Sequence, residues 1–186
     1  MENIHKLRKF YKLKEVERTA PVCGRKESAA EHSWSSLILA DYFMSIIKAK
    51  IDRVKVYELL MYHDVVEIET GDINIINRAE RKNKKENEMN AMKKLKGDFP
   101  NAIKNKVWDL FVEFEEQKTV EAKFAKAIDG FDAEVHFLDY KKDWKGWTPE
   151  LVRELKSWDN VKEFPELEDA YEAILSFAEK EGYFNQ

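Results

Sequence analysis

Few residues in this chain interrupt a helix: six glycines and four prolines in 186 positions. Between them the apolar side chains recur at three- and four-residue spacing almost throughout, the repeat that turns one face of an α-helix to a core. An all-α fold follows, a helical bundle built around a central helix. The pattern predicts helices over 3–13, 29 to about 50, 53–69, 84–96, 101–116 and 119–141, with further ones opened by Pro149 and Pro165. Ser28-Ala29-Ala30-Glu31 is a capping-box pattern, Asp52 is placed to cap the next helix, and Gly71 to close it. The segment 17–24 contains Pro21 and Gly24 and is predicted to be irregular. No repeat, linker or change of composition divides the chain, so residues 1–186 read as a single domain.

The predicted helix 53–69 carries an anomaly. In Leu59-Leu60-Met61-Tyr62-His63-Asp64-Val65-Val66-Glu67, a histidine and an aspartate stand side by side in one of the most apolar stretches, with Glu67 one turn on. Burying such groups is costly without compensation, and a divalent metal ion is the usual one. Taken alone, the dipeptide is better read as a hydrogen-bonded pair that satisfies itself.

Two further positions change the balance. His32 lies in the first turns of the helix that Ser28 starts, and Asp129 lies at the edge of an apolar stripe of Phe124, Ile128, Phe131 and Val135. Asp132 projects into the middle of that stripe, where an acid needs a partner. His32, His63, Asp64 and Asp129 together offer two imidazoles and two carboxylates from three helices. That donor set suits one divalent ion (manganese, cobalt, magnesium, iron or zinc) with positions left for water and substrate.

The order His … His-Asp … Asp resembles the HD-domain metal-dependent phosphohydrolases. The longer stretches Ala30-Glu31-His32-Ser33-Trp34 and His63-Asp64-x-x-Glu67-x-x-x-Gly71-Asp72 resemble the 5′-deoxynucleotidase subgroup, which removes phosphate from nucleoside 5′-monophosphates. The resemblance covers roughly residues 5–140, the metal-site core, and leaves the helices over about 149–182 outside it. It implies that His32, His63, Asp64 and Asp129 bind the metal and that Glu67 handles the proton of the attacking water. It places Asp72 beside the substrate and makes Arg18 the group that grips phosphate. The subgroup also carries a tryptophan just after this arginine, packed near the sugar. Here Arg18-Thr19-Ala20-Pro21-Val22 contains no aromatic residue, which leaves sugar and base preference open.

The remaining features limit the alternatives. A net charge of −4 argues against general nucleic-acid binding, and the lysines over 81–85 read as a solvated helix start. One cysteine, Cys23, rules out an internal disulfide framework. No apolar leader or membrane-length run is seen, so the chain reads as a soluble, cytoplasmic protein without a membrane partner. The resemblance suggests a homodimer, which the apolar surplus of the helices permits. Trp144, Trp147 and Trp158 read as packing residues first, with the lining of an entrance or a dimer surface as the alternative, and His136 has no evident partner. Two other functions stand beside the lead. One is another HD-type phosphodiesterase, disfavoured because no histidine lies between His63 and Asp129 to build a second metal site. The other is a non-catalytic nucleotide-binding protein with a relict metal site.

Overall fold

Ser28 begins the first long helix as its sequence predicts. Its hydroxyl accepts from the Glu31 amide at 3.3 Å, and the Glu31 carboxylate accepts from the Ser28 amide at 2.9 Å, closing the capping box. The computed structural model describes residues 1–185. Its helices are α1 (Glu2–Phe10), α2 (Ala29–Ile46), α3 (Arg53–Tyr62), α4 (Glu67–Thr70), α5 (Arg78–Arg81), α6 (Lys84–Leu95), α7 (Lys104–Glu116), α8 (Val120–Phe137), α9 (Pro149–Leu155), α10 (Trp158–Val161) and α11 (Pro165–Lys180). Thr119 caps α8 and Thr148 caps α9, each through its hydroxyl. Among the described residues no helix is long and apolar enough to cross a membrane.

Two expectations are corrected. The segment predicted to be irregular is an antiparallel hairpin, β1 (Glu17–Val22) and β2 (Arg25–Ser28), with Pro21 opposite Lys26. Proline is tolerated because each strand has an outer edge that needs no partner. Cys23 and Gly24 turn the chain at the tip with positive φ values of 46° and 82°.

The helix predicted over 53–69 also breaks, at His63. From Tyr62 onward the amides reach back three residues rather than four: Val65 to Tyr62, Glu67 to Asp64 and Ile68 to Val65, at 2.9–3.3 Å. The His63 ring donates from Nδ1 to the Leu60 carbonyl at 2.7 Å, taking an acceptor the helix would otherwise use for its own ladder. Such tightly wound turns inside helices often mark functional positions. Gly71, at φ +70°, then ends α4, its amide bonded to the Glu67 carbonyl at 2.8 Å.

Two apolar clusters form the core. The larger packs α2, α3, α8 and α11 through Phe43, Leu59, Leu60, Phe124, Ile128, Phe131 and Tyr171. The smaller joins Leu13, Val65, Val66, Met92, Phe99 and Phe111. Each fully buried Leu, Val or Phe contributes about 1.5–3 kcal/mol relative to exposure. His63 and Asp64 fall on the seam, between Leu59-Leu60 of one cluster and Val65-Val66 of the other. The outer face of α2 is left uncovered: Trp34, Ile38, Tyr42 and Ile46, every fourth residue, are all exposed.

Candidate metal centre

Each polar side chain at the seam is delivered by a different local device. The capping box sets the start of α2 and so the direction of His32, which is fully buried. The tight turn after Tyr62 presents His63 and Asp64 on consecutive residues. Asp129 comes from the middle of α8. Their atoms converge: His32 Nε2 lies 3.0 Å from Asp129 Oδ1, 3.3 Å from His63 Nε2 and 3.8 Å from Asp64 Oδ2. His63 Nε2 is in turn 3.2 Å from Asp64 Oδ2 and 3.8 Å from Asp129 Oδ1.

Several neighbours fix this arrangement. His32 Nδ1 meets Asp132 Oδ2 at 2.7 Å, so Asp132, the acid in the middle of the apolar stripe, has its partner here. His63 commits Nδ1–H to Leu60, which leaves Nε2 as its bare nitrogen in the neutral ring. Lys126 donates to Asp129 Oδ2 at 2.8 Å. Arg18 enters from β1, with Nε 3.2 Å from Glu27 Oε2 and its guanidinium 3.5 Å from Asp64 Oδ2.

The electrostatics are equally lopsided. Burial works against the Arg18 cation, yet Asp64, Asp72, Asp129 and Glu67 surround it and raise its pKa. Burial and Arg18 oppose a charge on His32, but its bonds to Asp129 and Asp132 prevail and bring it up to about 10. Burial would protonate Asp64 and Asp129; the His63 and His32 rings, with Arg18 beside Asp64 and Lys126 beside Asp129, hold both well below the usual carboxylate range. Glu67 goes the other way, pushed well up by burial and by the charges of Asp64 and Asp72.

A divalent ion fits this donor set. Two imidazole nitrogens that face each other at 3.3 Å and two ionised carboxylates meet around one point, where a bound ion would take the place of the proton that His32 Nε2 shares with Asp129. Asp64 Oδ2 is buried without a hydrogen bond although three cationic or ring nitrogens lie near it. Ligand bonds of about 2.1 Å put neighbouring ligand atoms roughly 3.0–3.4 Å apart, close to the spacings seen. The atoms mutually within 4.8 Å are those of His32, His63 and Asp129, and Asp64 reaches this set through the two ring nitrogens.

The cluster opens into a cavity of about 300 Å³. Arg18, His63, Asp64, Glu67, Asp72 and Asp129 all line it, so six of the seven residues singled out in the sequence share one space, with His32 sealed directly behind. Asp72 reaches it from the loop that Gly71 begins. Arg81 also lines the cavity, whereas Arg78 pairs with Glu154 at the surface.

Sequence reasoning missed other members. Lys84, from the stretch read as a solvated helix start, borders the cavity, as does Lys126; only their offsets of four residues from Glu88 and three from Asp129 could have hinted at this. His136 does have a partner, the Pro21 carbonyl at 2.8 Å, which ties α8 to the hairpin. Trp147 does pack against the larger apolar cluster, as read from the sequence, and also lines the cavity wall.

Comparison with known proteins adds the following. The family model for the HD domain matches residues 10–167. The 5'-deoxynucleotidase HDDC2 of Xenopus laevis is 30% identical over 133 residues, covering 70% of this chain and 65% of the relative. The human 5'-deoxynucleotidase HDDC2 is 28% identical over 138 residues, covering 73% of this chain and 66% of the relative. The chain thus spans about 65% of the length of these curated relatives. A crystal structure described as a predicted metal-dependent phosphohydrolase from Magnetospirillum magnetotacticum superposes with a TM-score of 0.87 at 27% identity, covering 98% of this chain and 94% of that one.

Proposed function

The chain belongs to the HD-domain family, and on that premise we propose that it is a metal-dependent phosphomonoester hydrolase acting on nucleoside 5′-monophosphates, deoxyribonucleotides among them. The observation that carries this reading is the approach of His63, Asp64 and Asp129 to within 3.0–3.8 Å of His32 Nε2 beside a buried arginine, at the end of a cavity sized for a nucleotide. The curated relatives named 5'-deoxynucleotidase support the substrate class.

His32, His63, Asp64 and Asp129 would hold one divalent ion, which when bound supplies Lewis acidity toward phosphoryl oxygen and water. Its identity is left to manganese, cobalt, magnesium, iron or zinc, since two nitrogens and two oxygens suit all of them. Arg18 is ion-paired with Glu27 and Asp64 without a hydrogen bond to its Nε, so its guanidinium is held beside the cluster with donors left for phosphate oxygens. Lys84 and Lys126 add positive charge to the same walls. Glu67, whose pKa is pushed well up by burial and two neighbouring carboxylates, is assigned to the proton of the attacking water; its Oε2 is buried without a hydrogen-bond partner. Asp72, on its loop, faces the same cavity and is assigned to the leaving sugar oxygen. Positioning and fixed charge supply most of the barrier reduction.

The whole chain is read as one catalytic unit, because α9–α11 pack on α8 and the segment before α9 supplies part of the cavity wall. A homodimer is proposed through the exposed α2 stripe, and Trp34→Glu is expected to shift the sedimentation mass toward monomer. The activity is tested by phosphate release from ribo- and deoxyribonucleoside monophosphates with each metal in turn. Turnover should vanish in chelator and return with metal. Release from no nucleotide under any metal, or unimpaired turnover in Glu67→Ala, would sink the reading.

A further inference from the structure

The face of α8 that lines the cavity carries Lys126, Asp129, Gly130, Asp132, Ala133, His136 and Phe137, so the cavity runs lengthwise along this helix. From Asp129 to Phe137 the helix climbs about 12 Å. One end is the metal cluster with Arg18 and Glu67. The other end is built differently. There the lining passes to Phe137, Trp147 and Leu155, from the last turn of α8 and the segment around α9.

Trp147 is held firmly for a loop residue. Trp144 anchors the segment: it is buried, and its indole N–H donates to the Phe137 carbonyl at 2.9 Å. Gly146 turns the chain at φ +82°, and the Trp147 amide bonds back to the Trp144 carbonyl at 3.0 Å. Thr148 then caps α9, fixing the chain on the other side. The ring itself has the Lys156 ammonium 5.7 Å from its centre, and that ammonium is tied to buried Glu134 at 3.5 Å. Between this aromatic wall and the metal end, α8 contributes Gly130 and Ala133, which are small, and Asp132 and His136, which are held elsewhere by His32 and the Pro21 carbonyl. Gly130 has no side chain where the Lys156 carbonyl and the Tyr171 hydroxyl would sit 3.5 Å from an added Cβ.

We propose that Trp147 is the stacking platform for the nucleobase, the specificity residue at the end of the cavity opposite the phosphate. The proposal rests on the nucleotidase reading above. A substrate whose phosphate lies at Arg18 and whose sugar passes Gly130 and Ala133 brings its base to this ring. An indole face accepts any base, so the platform gives affinity for the nucleoside end with broad base tolerance. It also supplies, from the far side of the cavity, an aromatic surface that residues 19–22 lack.

The test compares two substrates that share the phosphate and deoxyribose, deoxyadenosine 5′-monophosphate with adenine at the anomeric carbon and 2-deoxyribose 5-phosphate with a hydroxyl there. Trp147→Ala should lower kcat/KM for the nucleotide about tenfold through KM, with kcat nearly unchanged, and affect the base-free ester far less. Trp147→Phe should restore most of the loss, and also serves if the alanine variant folds poorly. In parallel, the nucleotide should quench a component of tryptophan fluorescence that Trp147→Phe lacks. Equal losses on both substrates would make Trp147 a packing residue only, and no loss on either would remove it from the site; both overturn the proposal while the nucleotidase reading stands. Hydrolysis of neither compound by the unaltered protein overturns that reading instead, and the quenching then decides whether the platform survives it.

Discussion

The two ends of the cavity are built on different principles. At the metal end four side chains are held by a hydrogen bond or an ion pair, His32 by Asp132, His63 by the Leu60 carbonyl, Asp129 by Lys126 and Arg18 by Glu27, while Asp64 Oδ2 and Glu67 Oε2 are left without a hydrogen bond. At the aromatic end the side chain is placed mainly by backbone turns and a cap around Gly146 and Thr148. The first design fixes atoms to within fractions of an ångström, as charge and proton transfer demand. The second fixes a surface, which is enough for a planar group to lie against.

This difference orders the expected effects of mutation. Asp129→Ala or His63→Ala removes a donor from a set of four, and activity should fall by at least about 10³-fold, with metal content measured on the same samples. Retained metal and activity would show that the cluster is not the centre. Glu67→Gln should lose roughly 10²–10⁴-fold in kcat while metal content stays intact, separating proton handling from ligation. Asp132→Asn keeps the shape but weakens the carboxylate behind His32; metal affinity should drop about 10–100-fold, with activity recovered at higher metal concentration. Should Asp132→Asn titrate like the unaltered protein, the claim that this end depends on gripping partners is broken.

The smallest effect lies behind the metal end, in its support. Ser28→Ala should cost about 1 kcal/mol of stability in a denaturant titration. Glu31, its reciprocal partner, has its pKa lowered from 4.5 to about 2 by the Arg25 guanidinium first and the Ser28 amide next. A depressed carboxylate stabilises the fold above its unfolded pKa, and this contribution is lost as pH falls from about 4.5 toward about 2. Glu31→Gln should therefore flatten the decline of Tm over that acid range. An unchanged decline would place the acid sensitivity elsewhere.

The sequence exposed the metal end more fully than the aromatic end, for a physical reason. Histidine and aspartate inside Leu59–Val66 violate local hydrophobicity, and such a violation is visible without knowing the fold. The break at His63 was hidden because Leu59, Leu60, Val65 and Val66 continue the apolar pattern straight across it; the two halves pack into different clusters. The hairpin was hidden because Pro21 and Gly24 signal a departure from helix without naming what replaces it. Trp147 breaks no rule at all. An aromatic residue between a glycine and a cap is as suited to packing as to a cavity wall, and only the path of α8 and α9 decides.

The capping box at Ser28 also sets a count. His32 stands four residues after the cap, and each helical residue turns the side-chain direction by about 100°. One amino acid inserted between Ser28 and His32 would keep every member of the site and the cap itself. The imidazole would then point where Ser33 now points, bonding back toward the Ala29 carbonyl. The centre is therefore encoded as an interval as well as a set of residues, and a chain with a perfect inventory and the wrong spacing would fold around an incomplete one.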